Sequence, residues 1–557
     1  RRAEQLAQLS AFGVYVLGVE LLASRRSGFG RVAIVRTLLP WVPRDATLLP
    51  TSFSWVWPLV GRPVRLANGT FADDSMAAAL APSGRLGRLL EAGAGMPTAG
   101  LAWAIDPDLV DTARDMADGY RVRTPNGRSV AGTGETVAAN WLARLGAVTA
   151  GAPVIPLPYG DPDLAALRLD RTRTPELEAL AVGRSVLATA LPAAQLLTDA
   201  AWPVDGYAPR PTLGLLRGSG ADTVLLDGRA VPPSIDLSYT PTGRATLSTG
   251  AGRVDALLGE PGLADLLATP SGTAPVLQAQ RVIAETAMIA SELPSGPPRS
   301  ILVLPPRRWD PDPVLLQRLV SVLPSAPWAK PVSLTEMAAA PPPEVDRAAL
   351  TYPPAQRQAE LPRSYLAAVA SYRGSVGLFS SILTDPQQYV PVLRRSAMLL
   401  ESSWWRDRPG RSTRQHLESA YLAKLRARVR VQPASFTFSS RSGTFAVTVA
   451  NELEQPVLVT LQLDPLTPRL QLEPVTGKPI GPGQKQQVEV SAHALAPGPV
   501  TVEASLRTPN GSPYGDPVSL HISITEYGTV ALFITVAAAG VLFLAAGIRV
   551  VRRVRRR

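Results

Sequence analysis

The 557 residues exceed what one hydrophobic core organises, so about three or four domains are expected. With 46% hydrophobic and 18% charged residues the chain is not disordered, and without cysteine it has no disulfide, thiolate metal site or thiol nucleophile. The net charge of +11 suggests nucleic acid until six of those charges are placed at Arg549, Arg552, Arg553, Arg555, Arg556 and Arg557; the remainder forms no basic stripe, which excludes nucleic acid as the expected partner.

In chain order, Phe12 to Ala23 and Gly30 to Val42 read as two β-rich strands around a Ser/Arg/Gly turn. The apolar run Phe12 to Leu22 contains Glu20 and lacks a cleavage site, so it is no signal peptide, and residues 1–48 are expected to be the remnant of an N-terminal β domain whose natural start is missing. Residues 49–337 alternate short apolar strands with helices. The strands are Phe53 to Leu59, Gly100 to Ile105, Pro153 to Leu157, Ala194 to Thr198, Thr223 to Leu226, Ser300 to Leu304 and Pro331 to Leu334. Helices are predicted at Asp74 to Ala92, Glu135 to Thr149, Pro175 to Ala190 and Val276 to Leu293. Repeated βα units of this number predict a (β/α) barrel-like domain, with an open doubly wound sheet as the alternative.

A Pro-rich linker follows at 338–360, then a helical segment at 361–430. Residues 431–525 alternate polar and apolar positions through six or seven short strands, the pattern of an immunoglobulin-like β-sandwich. Tyr527 to Ile548 is uncharged for 22 residues, which as a helix spans about 33 Å and crosses a bilayer core of about 30 Å. The arginines after it, Arg549, Arg552 and Arg553 among them, predict a basic cytoplasmic tail at 549–557 and an extracytoplasmic ectodomain. The fold class is thus multidomain α/β plus β, with a degenerate barrel of the glycosidase or deacetylase kind, a helical segment, a sandwich and one transmembrane helix.

Three Asp-Pro pairs, in WAIDPDLV, YGDPDLAAL and RWDPDPVLL, begin at Trp103, Tyr159 and Arg308. Asp caps a helix and Pro suits its first position, so helix initiation accounts for them. Residues after barrel strands also face the mouth where chemistry is done, which makes Asp106, Asp161, Asp199 and Asp310 weak candidates for paired-carboxylate glycoside hydrolysis. Trp55, Trp57, Trp103, Tyr159, Trp202 and Trp309 lie near the same strand ends as candidate glycan or partner contacts. The histidines are His416, His493 and His521, all outside the barrel, so neither a His-bearing metal site nor a serine–histidine pair is expected there; no cofactor is expected either.

The stretches VYVLGVEL, VRTLLPW, LAWAIDPDLVD, IPLPYGDPDLAAL and GTFAVTVANELEQPVLVTLQL are similar to an actinobacterial family of secreted single-pass membrane proteins of unknown function. The resemblance implies a cell-envelope role, because members are typically encoded beside the MviN/MurJ-type lipid II flippase, and it makes that polytopic protein an expected partner. The leading expectation is a non-catalytic, membrane-anchored scaffold or regulator of peptidoglycan assembly that binds such a partner or a glycan. The alternatives are a hydrolase of envelope polysaccharide and an adhesion or spacer protein.

Overall fold

The computed structural model describes residues 11–25, 28–43, 46, 48–167, 174–270, 274–293, 296–341, 345–473, 475, 477–525 and 527–555. Two compact units emerge: residues up to Val369 together with Arg395–Gln415, and Ala370–Arg394 together with the chain from His416 onward.

The first unit opens with an antiparallel hairpin, β1 (Gly13–Arg25) and β2 (Gly28–Trp41), turned through the left-handed Gly28. Its base joins the main core through Phe12, Val14 and Val42, and Gln280 Nε2 donates to Leu38 O at 2.6 Å. The strands that follow are β3 (Thr51–Leu59), β4 (Thr70–Phe71), β5 (Leu101–Ile105), β6 (Arg121–Arg123), β7 (Ser129–Ala131), β8 (Pro153–Pro156), β9 (Gln195–Leu196), β10 (Ala200–Ala201), β11 (Thr223–Asp227), β12 (Arg244–Thr249), β13 (Gly252–Gly259), β14 (Ser300–Val303) and β15 (Ala329–Pro331). Strands β4, β6 and β7 form a small separate sheet. The main sheet runs β10-β11-β13-β14-β3-β5-β8-β9 with parallel neighbours, β12 adding antiparallel to β13 and β15 parallel to β3.

The two ends of that order, β9 and β10, are separated in the chain only by Leu197 to Asp199, and Leu197 N still donates to Val154 O at 2.8 Å. The sheet therefore closes into a barrel through a short covalent link and not through a continuous ladder. Val56, Ala102, Ala104, Ile155, Leu225, Leu257 and Leu302 form one buried cluster with members from strands all round the ring, which only the barrel lumen can bring together. The small side chains Ala102 and Ala104 of β5 belong to this cluster, the kind of layered filling expected of a packed (β/α) barrel. Alternate residues of the same strands, such as Trp57, Trp103 and Val303, point outward into the helix layer.

Three expectations need correction. Strand β13, central to the sheet, is absent from the predicted set because RVDALLG alternates poorly and carries Asp255, which is bonded instead by Arg244 and Thr246 of β12. The strand predicted at Pro331 to Leu334 is only the three residues of β15, and Ser333 instead caps the helix Leu334–Ala339 in a reciprocal capping box with Glu336. Within the Pro-rich linker, residues 346–351 are bound to the barrel: Ser234 N donates to Asp346 O at 2.9 Å, Ala348 N to Pro232 O at 2.8 Å and Thr351 N to Ala230 O at 2.8 Å.

The second unit combines helical segments within Ala370–Arg394 and from His416 with a β-sandwich. Its strands are β16 (Val429–Val431), β17 (Ser435–Phe438), β18 (Ser442–Asn451), β19 (Val457–Pro465), β20 (Leu470–Leu472), β21 (Lys478–Ile480), β22 (Lys485–Ala494), β23 (Gly498–Arg507) and β24 (Pro513–Ile524). They pair as β16-β18-β22-β20 and β17-β24-β23-β19-β21. Three of these strands are only three residues long, too short to show alternation in the sequence. Buried Asn451 ties the core together, its Nδ2 reaching the carbonyls of Gln455, Ile480 and Gly481 while Oδ1 accepts from Leu453 N. The chain then enters the helix Tyr527–Val554, whose stretch Phe533–Val554 has a mean hydropathy of 2.2, no burial, and the length to cross a membrane.

Candidate functional site

The C-terminal mouth of the barrel carries an unusual set of buried charges. Asp106 follows β5 and caps the helix Pro107–Ala117, its Oδ1 accepting from Asp108 N at 3.0 Å and also from Gly160 N at 3.0 Å. Proline at the first helical position gives up an amide that would have no partner there. In the first turns of this helix Asp108 receives Arg65 at 3.0 Å, Asp111 accepts from the Tyr159 hydroxyl at 3.0 Å, and Arg65 also reaches that hydroxyl.

After β8 the chain makes two successive left-handed residues, Gly160 at φ 74° and Asp161 at φ 47°. Asp tolerates this region better than most residues, and at Gly160 a Cβ would stand 2.8 Å from Leu399 Cδ2, so the turn has no room for a side chain there. The turn aims Asp161 at the segment around Ser403. Ser403 Oγ donates to Asp161 Oδ2 at 3.1 Å and Ser403 N to Asp161 O at 2.8 Å, while Asp163 N donates to Glu401 O at 2.9 Å. Asp163 is saturated: Arg406 clamps both its oxygens at 2.7 and 2.9 Å, and the amides of Leu361 and Ala166 donate at 3.0 and 3.2 Å. Arg307, 2% exposed, stacks 3.9 Å from the Trp202 ring and places Nε 3.6 Å from Asp161.

Residues around 399–408 thus seal the mouth over β5 and β8 with a mixed ladder of backbone bonds and ion pairs. Burial drives the electrostatics. It raises the Asp106 carboxyl well above the ordinary value, with Asp108 and Asp161 adding repulsion. It raises Asp108 too, against the pull of Arg65, and lowers Arg307 against the pull of Asp161. Arg406 goes the other way: burial works against its charge, yet the bonds from Asp163 hold it above its ordinary value.

A pH test follows. Because the folded-state pKa of Asp106 is raised, the folded chain keeps a proton that the unfolded chain releases above about pH 4, so this residue costs stability as pH rises through that window. Asp106→Asn keeps an acceptor for both amides and is expected to gain on the wild type between pH 4 and pH 8 in urea unfolding. An identical difference at both pH values would contradict the assignment.

Of the predicted acids, the structure brings Asp106 and Asp161 together and leaves the other two elsewhere. Asp199 is exposed in the link between β9 and β10, where its carbonyl accepts from the amides of Asp222 and Thr223. Asp310 is exposed and meets Arg88 at 3.1 Å. Helix initiation holds at Asp106, but its register differs in the other repeats: Asp163 bonds the amide of Ala166 beside the short helix Leu164–Leu167, and Asp312 caps Pro313–Val322.

The aromatic platform is corrected outright. Trp55, Trp57, Trp103, Tyr159, Trp202 and Trp309 are 0–4% exposed, so none offers a ring face to a sugar. Trp57 and Trp309 pack edge to face at 5.1 Å and donate to the carbonyls of Leu89 and Leu267, Trp103 fills the space beside Gly93, and Trp202 is held by Arg307. Gly540, Ile548, Arg549, Arg552 and Arg553 lie in the C-terminal helix that Tyr527 begins. Among the described residues, no group of three or more His, Asp or Glu is placed to hold a metal ion. The partners Arg65, Ser403 and Arg406 carry no signal in the sequence, because their importance comes from long-range packing and no local motif marks it.

The sequence profile of one family matches residues 1–556, nearly the whole chain. The chain belongs to that family, described as a family of unknown function (DUF6049). No curated protein matches the sequence. Among solved structures, this DUF6049 chain is similar to a GH57 branching enzyme from Thermococcus kodakaraensis, with 10% identity, TM-score 0.46, and coverage of 68% of this chain and 90% of that one. The alpha-amylase AmyC from Thermotoga maritima gives 10% identity, TM-score 0.44, and coverage of 68% and 93%. A C. elegans MSP family member, WR4, matches 18% of this chain and 98% of its own, at 7% identity and TM-score 0.15.

Proposed function

We propose that the protein is a membrane-anchored, extracytoplasmic scaffold of the cell envelope whose barrel is a rigid, non-catalytic body. One observation carries the non-catalytic reading: the acids at the mouth are already committed. Asp106 bonds two backbone amides, Asp161 bonds Ser403, and Asp163 is saturated by Arg406 and two amides, with all three at most 2% exposed. Acid–base catalysis needs a carboxyl group within reach of substrate, and these are covered by the chain's own 399–408 stretch.

The envelope assignment rests on the sequence resemblance, and membrane attachment on the apolar C-terminal helix. Its small residues Ala537, Ala538, Ala539 and Gly540 suit close approach by a partner helix, and an MviN/MurJ-type lipid II flippase is the partner that the resemblance suggests. Co-purification in detergent is expected to recover a polytopic membrane protein, with recovery reduced by Gly540→Leu. Recovery of none would remove the scaffold's partner.

A carboxylate-dependent hydrolase of envelope polysaccharide is the second reading, favoured by one observation: Asp106 lies beside Asp161 at the mouth, and burial holds the Asp106 carboxyl well above its ordinary range, as a general acid requires. Incubating the purified chain with cell-wall glycan separates the two readings. The scaffold predicts no new reducing ends from either the wild type or the Asp106→Asn, Asp161→Asn double variant. Release by the wild type that the double variant abolishes would establish the hydrolase.

A further inference from the structure

The other side of the barrel rim holds a cavity of about 240 Å³ over the C-terminal ends of β11 and β13. Its walls are hydrogen-bonded backbone. Ala348 N donates to Pro232 O at 2.8 Å and Thr351 N to Ala230 O at 2.8 Å, fixing the strand of chain that delivers Arg347. On the opposite wall, Thr240 N donates to Glu292 at 2.6 Å, and Arg299 holds the Thr240 carbonyl at 2.8 Å. Such a site is preformed, so little ordering entropy opposes a ligand.

Among the described residues three charged side chains, those of Arg229, Glu260 and Arg347, line the cavity, and they are not equivalent. Arg229 is answered by Asp227 at 3.2 Å and Asp265 at 2.6 Å. Among the described residues Arg347 has neutral partners alone, the carbonyls of Val231 at 3.3 Å and Thr242 at 2.8 Å, and its Nε finds no acceptor. No carboxylate among the described residues offsets its charge, and burial pulls its pKa below the ordinary value. Glu260 caps the helix Pro261–Ala268 through Gly262 N and Leu263 N, and burial raises its carboxyl. The remaining walls are apolar, from Pro232, Pro233, Pro241, Leu258 and Ile301.

We propose that this cavity binds a small amino acid with an apolar side chain, its carboxylate paired with Arg347 and its ammonium received by Glu260. A single uncompensated cation matches a monoanionic group, whereas a dianion such as phosphate brings surplus negative charge toward Glu260. A cavity of about 240 Å³ lies below the roughly 300–1,000 Å³ of sites that take drug-sized ligands, which suits a ligand of amino-acid size. The site is independent of the sealed acids and of the scaffold reading.

The test titrates the full chain in detergent with leucine, leucinamide, N-acetylleucine and inorganic phosphate, read by saturation-transfer NMR. Leucine is expected to bind, leucinamide about 10-fold or more weakly for want of the carboxylate, and N-acetylleucine several-fold more weakly for want of the ammonium. Arg347→Gln is expected to weaken leucine about 10-fold, and the ligand comparison on the native chain stands even if that variant misfolds. No leucine binding up to about 50 mM, equal binding of leucinamide, or displacement of leucine by phosphate would each overturn the proposal.

Discussion

Replacing Asp163 with alanine is expected to cost the barrel unit about 3–5 kcal/mol, the usual penalty when one partner of a buried ion pair is removed. Asp163 is 0% exposed at its side chain and Arg406 3%, so removing Asp163 leaves a buried guanidinium with the more distant carboxylate of Asp205, at 3.8 Å, in place of a close two-oxygen clamp. The amides of Leu361 and Ala166 lose their acceptor in the same step, which adds to the loss. The double change Asp163→Leu with Arg406→Met removes both charges and is expected to recover the part of the loss that comes from the unpaired ion, while the cost of the two orphaned amides remains. Urea unfolding of the three chains measures this. A single-variant loss below about 1 kcal/mol would place the pair in a solvated setting and undo the sealed-mouth account.

Trp57→Ala is expected to cost about 3–5 kcal/mol, through lost burial and an unfilled space between barrel and helices. Its indole is fully buried, donates to Leu89 O at 2.8 Å and meets the edge of Trp309 at 5.1 Å. Thermal unfolding of the variant, alongside binding to cell-wall glycan, separates core from platform. Lost stability with unchanged glycan behaviour supports the core role; lost glycan binding at wild-type stability would restore the ring to a binding surface.

Much of the architecture is legible in the sequence, because βα alternation and sandwich alternation are periodic and local. Within TSFSWVWPL the alternation of Trp55 and Trp57 around Val56 already implies that the indoles share one face while valine takes the other. That face is the helix layer, and only closure of the sheet determines it. The Asp-Pro repeats are legible as helix starts, yet which Asp serves as the cap depends on turn geometry, and the left-handed Gly160 and Asp161 change it in the second repeat. Strand β13 is obscured by Asp255, a charge tolerated because β12 supplies Arg244 and Thr246. The mouth itself is hardest to read. Asp161 and Ser403 lie more than two hundred residues apart, and no spacing rule joins a βα turn to a helical segment so distant.

Amide hydrogen exchange at Ser403 and Asp163 tests the central claim most directly, since these amides donate to Asp161 O and Glu401 O and exist as bonds only while the 399–408 stretch covers the acids. A sealed, structural mouth predicts that both exchange only with global unfolding of the barrel unit, with or without cell-wall glycan present. Exchange through a low-energy local opening, or protection that glycan removes, would make the segment a lid over Asp106 and Asp161 and contradict the non-catalytic account.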